Sequence, residues 1–125
     1  MPSPHILYLD DDDTLVFLVS RLLEQRGFRV AAFEVQDDAL AAVRDNPKAY
    51  DLFLTDFNMP GMSGLDVARE ALAIAPDLNV ALASGYITEE LKAEALAIGV
   101  REVIFKTDAV EEFCEVVDRL ITPAA

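Results

Sequence analysis

The chain has one cysteine, one histidine and no tryptophan among its 125 residues. A lone thiol excludes an intrachain disulfide framework, and a lone imidazole excludes a multihistidine metal centre. Glycine and proline are scarce, at five and six residues, which excludes collagen-like repetition and low-complexity sequence. Positive charge is scarce as well: ten Lys and Arg stand against 23 Asp and Glu, a formal net charge of −13. So acidic a chain repels a phosphodiester backbone, and direct nucleic-acid binding is not expected. No apolar run approaches the ~20 residues of a transmembrane helix, and Met1 to His5 lack the basic start and apolar stretch of a signal peptide. Membrane insertion is therefore not expected, and a cytoplasmic location is. Neither GxxxxGK[ST] nor GxGxxG occurs, so the usual glycine-rich cradles for nucleotide phosphates are missing.

What is present is a chain that is 53% hydrophobic, long enough for one substantial core and one domain. Short apolar runs alternate with helical periodicity. His5 to Leu9 reads as a strand, and Leu15, Val16, Leu18, Val19, Leu22 and Leu23 recur on one helical face. Phe28 to Phe33 and Asp37 to Asn46 repeat the alternation, as do Asp51 to Thr55 and the segment from Leu65 toward Ala75. Leu78 to Ala83 precedes a helix from about Thr88 to Ile98, and Val103 to Phe105 precedes one from about Val110 to Leu120. Five strand–helix units with short connections predict a three-layer α/β fold, a parallel sheet covered on both faces by right-handed crossovers. One domain is expected over residues 5–121, with 122–125 as a short tail.

In such a sheet, ligands gather beyond the carboxyl ends of the strands. Asp10, Asp11, Asp56, Ser84 and Lys106 all emerge there. Asp10 and Asp11 suit a hard divalent cation such as Mg²⁺, which takes oxygen ligands and compensates crowded carboxylates. Asp12 or Asp13 is expected to cap the following helix instead. Asp56 is placed to attack an activated phosphoryl group, and the backbone carbonyl of Asn58, two residues on, to face the cation before Met59, Pro60 and Gly61 turn the chain. Ser84 offers a hydroxyl to a phosphoryl oxygen, with Gly85 beside it permitting close approach of the backbone. Lys106, the only Lys or Arg between Glu102 and Arg119, offers a positive charge to the same group. His5, at the start of an apolar strand, is not expected to be catalytic, and Cys114, among Val110, Phe113 and Val117, reads as inert packing.

The segments ILYLDDDD (Ile6 to Asp13), LTDFNMPGMSG (Leu54 to Gly64), LASGY (Leu82 to Tyr86) and IFK (Ile104 to Lys106) together resemble the receiver domain of bacterial two-component response regulators, including the single-domain chemotaxis-type regulators. The resemblance spans about His5 to Leu120. It implies a doubly wound (βα)5 fold with strand order 2-1-3-4-5. It also implies Asp56 as phosphoacceptor, Mg²⁺ held by Asp10, Asp11, Asp56 and the Asn58 carbonyl, and phosphoryl contacts from Ser84 and Lys106. The implied donor is a histidine kinase or histidine phosphotransfer protein. The implied output is an inward shift of the Ser84 hydroxyl and a remodelled face of the fourth helix, fifth strand and fifth helix, which a downstream protein reads. Self-phosphorylation and autodephosphorylation are expected, without turnover of a separate small substrate.

Two departures stand out. The family usually has Lys-Pro where this chain has Lys106-Thr107, and the cis bond that often accompanies that proline is unfavourable before threonine. Val103 occupies the position of a switching Tyr or Phe, so ring-driven switching is not expected. Asp108 is expected to cap the last helix or to weaken the field of Lys106. Glu111, Glu112, Glu115 and Asp118 make that helix acidic, suited to a basic partner or to plain solubility, and Tyr86, Ile87 and Leu91 suit either docking or packing on the sheet. Two other functions fit the residues less well: a receiver-like scaffold that binds partners independently of phosphorylation, and a small Mg²⁺-dependent phosphatase acting through Asp56.

Overall fold

The computed structural model describes residues 3–106 and 110–121. Five strands alternate with five helices: β1 (His5–Leu9), α1 (Asp13–Gln25), β2 (Arg29–Phe33), α2 (Gln36–Asp45), β3 (Leu52–Asp56), α3 (Gly64–Ile74), β4 (Val80–Ser84), α4 (Glu89–Ile98), β5 (Glu102–Phe105) and α5 (Val110–Ile121). The strands pair in parallel in the order β2-β1-β3-β4-β5. The expected architecture and strand order are therefore present, with boundaries displaced by one or two residues. The displacements matter at the strand ends, where Asp56 and Ser84 are the last residues of β3 and β4 rather than the first residues beyond them.

Strands buried on both faces read as continuous apolar runs, and alternate residues feed different cores. Leu7, Leu9, Phe53, Val80 and Leu82 face one cluster with Leu40, Val43, Val67, Ala71, Leu91 and Ala95 of α2, α3 and α4. Ile6, Tyr8, Leu52, Leu54, Ala81, Ala83 and Ile104 face the other, with Val19 and Leu23 of α1 and Phe113, Cys114 and Val117 of α5. Cys114 is packing, as expected, and burial pushes its thiol up to about 11, well out of reach of thiolate chemistry at neutral pH. Leu18, grouped by periodicity with the buried stripe of α1, is instead exposed, because only Val19 and Leu23 are fully covered there.

Helix starts follow their capping residues. Asp12 accepts from the N–H groups of Thr14 and Leu15, and Thr88 accepts from Leu91 N–H. Ser63 accepts from Asp66 N–H and donates back to the Asp66 carboxylate, a reciprocal pair that fixes where α3 begins. Because β1 lies between β2 and β3, the chain reverses its winding there, leaving a crevice at the carboxyl ends of β1 and β3. Asp10 and Asp56 stand on its two sides.

Candidate phosphoacceptor and cation site

Strand alternation explains why distant residues meet. Asp10, Asp56 and Lys106 lie two residues beyond Tyr8, Leu54 and Ile104, so all three continue the strand face that packs against α1 and α5. The Lys106 ammonium reaches across the crevice, 2.7 Å from Asp10 Oδ2 and 3.1 Å from Asp56 Oδ1. Asp10, Asp11 and Asp56 each offer a carboxylate oxygen within 4.8 Å of the others. Asp10 and Asp56 are buried, while Asp11 is exposed.

These charges are poorly compensated. Burial, foremost, raises the Asp56 carboxyl above its ordinary value; Lys106 opposes the rise, and the charges of Asp10 and Asp11 add to it. For Lys106, burial alone favours the neutral amine, but hydrogen bonds and charges from Asp10 and Asp56 outweigh it and raise its pKa. The lysine is thus a firmly charged ammonium, one positive charge set against three acidic side chains. A small hard cation fits that deficit: the donor set is all oxygen, and Mg²⁺ binds through one or two carboxylates together with substrate phosphates and water.

Several polar contacts hold the site. Asp10 Oδ1 accepts from Asp12 N–H at 3.0 Å, and Asp10 Oδ2 accepts from the Tyr8 phenol at 2.9 Å. Burial, then the adjacent Asp10 carboxylate, pushes the Tyr8 phenol far above the usual tyrosine range, so it is a permanent donor. Phe57 N–H donates to Ala83 O and Lys106 N–H to Ser84 O, both at 2.8 Å, tying the ends of β3 and β5 to β4.

Gly64 closes the loop after Asp56. Its N–H donates to Phe57 O at 2.9 Å, and a Cβ built there would lie 2.1 Å from the Asp56 carbonyl oxygen. Only glycine admits that approach. From the other side, Gln36 Nε2 donates to Pro60 O at 2.9 Å and Met62 O at 3.1 Å, pinning the turn that carries Asn58. Asn58 is exposed at the rim of this turn.

Ser84 ends β4 at the carboxyl edge of the sheet, as expected, with its hydroxyl engaged in a local turn. It belongs to the opposite alternation from Ala81 and Ala83, and its hydroxyl turns into the following loop, donating to Tyr86 O at 2.7 Å while accepting Tyr86 N–H at 3.2 Å. A Cβ built at Gly85 meets no protein atom within 4 Å, so the backbone beside Ser84 is open on that side. The Thr107 and Asp108 expectations, including the geometry of the Lys106–Thr107 bond, lie outside the described residues. His5 is at the far end of β1, with its ring 4.8 Å from that of Tyr50, remote from the acidic crevice.

Tyr8, Gly64 and Gln36 were not singled out by the sequence reading. Only Tyr8 left a usable signal there, an aromatic with a polar tip two residues before an acidic one.

Comparison with known proteins supplies the family. The model "Response regulator receiver domain" matches residues 6–118. The response regulator receiver protein CpdR of Brucella abortus is 29% identical over 95% of this chain and 97% of its own. The C4-dicarboxylate transport transcriptional regulatory protein DctD of Rhizobium meliloti is 30% identical over 90% of this chain, which spans only 24% of that protein's length. The crystal structure of the response regulator protein TrrA from Thermotoga maritima, in complex with Mg²⁺-BeF, superposes with a TM-score of 0.77 at 28% identity, covering 94% of this chain and 98% of that one. This chain belongs to the response regulator receiver domain family.

Proposed function

We propose that Asp56 accepts a phosphoryl group from a phosphohistidine donor and that the resulting acyl phosphate signals through protein contacts. The observation that carries this reading is the lysine bridge: one ammonium within 3.1 Å of two buried carboxylates at the switch point of the sheet. A structural ion pair needs one carboxylate; this site crowds in a third with Asp11.

In the proposed step an Asp56 carboxylate oxygen attacks phosphorus in line as the bond to the donor's imidazole nitrogen breaks. The electron pair of that bond returns to the ring, which takes a proton from solvent. Asp10, Asp11 and Asp56, with the Asn58 carbonyl, would hold Mg²⁺, which when bound neutralises charge on the phosphoryl oxygens. Lys106 exchanges its carboxylate contacts for a phosphoryl oxygen, and Ser84 leaves Tyr86 to donate to another. Attack of water on the acyl phosphate resets the protein. Residues 5–121 act as a single receiver unit.

The donor is a histidine kinase or histidine phosphotransfer protein. The output face combines α4, β5 and α5, where Tyr86, Leu96 and Phe105 are largely exposed apolar groups on the side of the sheet closed by its edge strand. Apolar exposure of this kind suits a protein partner. The test is transfer of labelled phosphoryl from acetyl phosphate or a phosphohistidine protein in the presence of Mg²⁺. Label that is base-labile and released by hydroxylamine on the wild type, absent from Asp56→Ala, is expected; equal labelling of D56A would overturn the assignment.

A further inference from the structure

Asp10 Oδ2 carries two donors of different character. The Lys106 ammonium, at 2.7 Å, approaches from the crevice on a flexible four-carbon stem. The Tyr8 phenol, at 2.9 Å, approaches from the core on a rigid ring that is 1% exposed. That ring belongs to the buried cluster that also contains Ile6, Val19, Leu23 and Phe113, so its oxygen has little freedom to move. Tyr8 and Asp10 share a strand face, which directs the phenol along β1 at the carboxylate.

The two donors have different fates when the site is used. A phosphoryl group on Asp56 draws Lys106 away, and Asp10 then loses its charged partner just as it is needed to face a cation. Without the phenol, Asp10 would then keep only the Asp12 N–H bond on Oδ1, at 3.0 Å, leaving Oδ2 free to swing about χ2 and the geometry presented to the cation poorly fixed. We propose that Tyr8 is a positioning residue for phosphoryl transfer, its hydroxyl anchoring Asp10 so that the carboxylate keeps one orientation before and after Lys106 departs. Tyr8 touches neither cation nor phosphoryl group; it acts through Asp10. The inference rests on the phosphoacceptor reading of Asp56.

The test uses Tyr8→Phe, which removes only the hydroxyl, and measures Mg²⁺ affinity by calorimetry alongside phosphorylation by acetyl phosphate. The phenol bond stands in both the free and the cation-bound protein, so only part of its worth is lost on binding, and Mg²⁺ binding should weaken by about three- to tenfold. Phosphorylation should slow by a similar factor at subsaturating Mg²⁺ and recover toward the wild-type rate at saturation. Tyr8→Leu, which repacks the same site without a donor, should behave alike, so that poor folding of one variant leaves the other to decide. Val19→Ala is the packing control: it loosens the same core without touching Asp10 and should leave Mg²⁺ affinity within twofold.

Wild-type affinity in Y8F, or an equal loss in V19A, would overturn the role of Tyr8 while leaving the receiver chemistry intact. A wild-type protein that binds no Mg²⁺ and takes no label would instead overturn the reading beneath it.

Discussion

Replacing Gly64 by alanine tests whether the loop after β3 positions Asp56 through its backbone. The added Cβ would stand 2.1 Å from Asp56 O, 2.7 Å from Phe57 Cα and 2.8 Å from Asp56 C, all main-chain atoms. No side chain can rotate aside, so the loop must open by roughly 1 Å, and forcing a methyl group into a packed site costs about 1–3 kcal/mol. Gly64 is also the first residue of α3, where alanine would otherwise gain up to about 1 kcal/mol. The clash is with fixed backbone on one side and a capped helix on the other, so its upper range applies and the net loss is about 2 kcal/mol. For a domain of this length that is a fall in Tm of about 8 °C. Displacing Asp56 by a similar distance costs on the order of 100-fold in the rate of phosphorylation. Thermal melts followed by circular dichroism, with labelling by acetyl phosphate under saturating Mg²⁺, read both quantities. Gly85→Ala is the control, with open space around its Cβ, and should be neutral in stability. A G64A protein that melts within 2 °C of wild type and phosphorylates within about twofold would refute the reasoning.

Other outcomes follow from the charges. The raised Asp56 pKa, caused first by burial, means that the folded state holds that proton more tightly than the unfolded chain. The group therefore stabilises the fold below the unfolded value near 3.8, and that contribution is lost as pH rises through the raised value. Asp56→Asn should accordingly melt higher than wild type at pH 7 without Mg²⁺, with the difference narrowing as the solution is acidified. Phosphorylation, which needs the carboxylate, should fall with decreasing pH at a midpoint above the ordinary aspartate range, and Mg²⁺ should lower that midpoint. Lys106→Met removes a cation from beside the proposed ligands: Mg²⁺ affinity measured by calorimetry should rise about tenfold, while phosphorylation slows and stability without Mg²⁺ drops. Weaker Mg²⁺ binding in K106M would show that the lysine organises the carboxylates rather than competing for them.

Much of this was legible in the sequence because strand alternation is simple. The apolar runs HILYL, DLFLT and VIF locate strand ends, and residues two apart share a face, so Asp10, Asp56 and Lys106 were bound to meet once the strands were parallel. Helix starts were readable at Asp12 from its acidic side chain ahead of an apolar periodicity. What could not be read was set by rotation and by distance across the fold. The Ser84 hydroxyl had several rotamers open to it, and the choice of Tyr86 as partner depends on the path of the loop. Gly64 looked like one more turn residue, since the carbonyl it makes room for is eight residues away in sequence. Tyr8 passed for an ordinary core residue because the strand around it is wholly apolar.

In the proposed cycle Ser84 leaves Tyr86 when Asp56 is phosphorylated, so the pair of hydrogen bonds between them would set the protein's background output. Each is worth about 0.5–1.5 kcal/mol, so releasing the hydroxyl without a phosphoryl group to receive it costs about 1–3 kcal/mol. The released form would then make up between about 1 and 15% of unmodified molecules. Leak and gain are thereby linked: loosening the knot raises spontaneous signalling, and tightening it blunts the response to a donor.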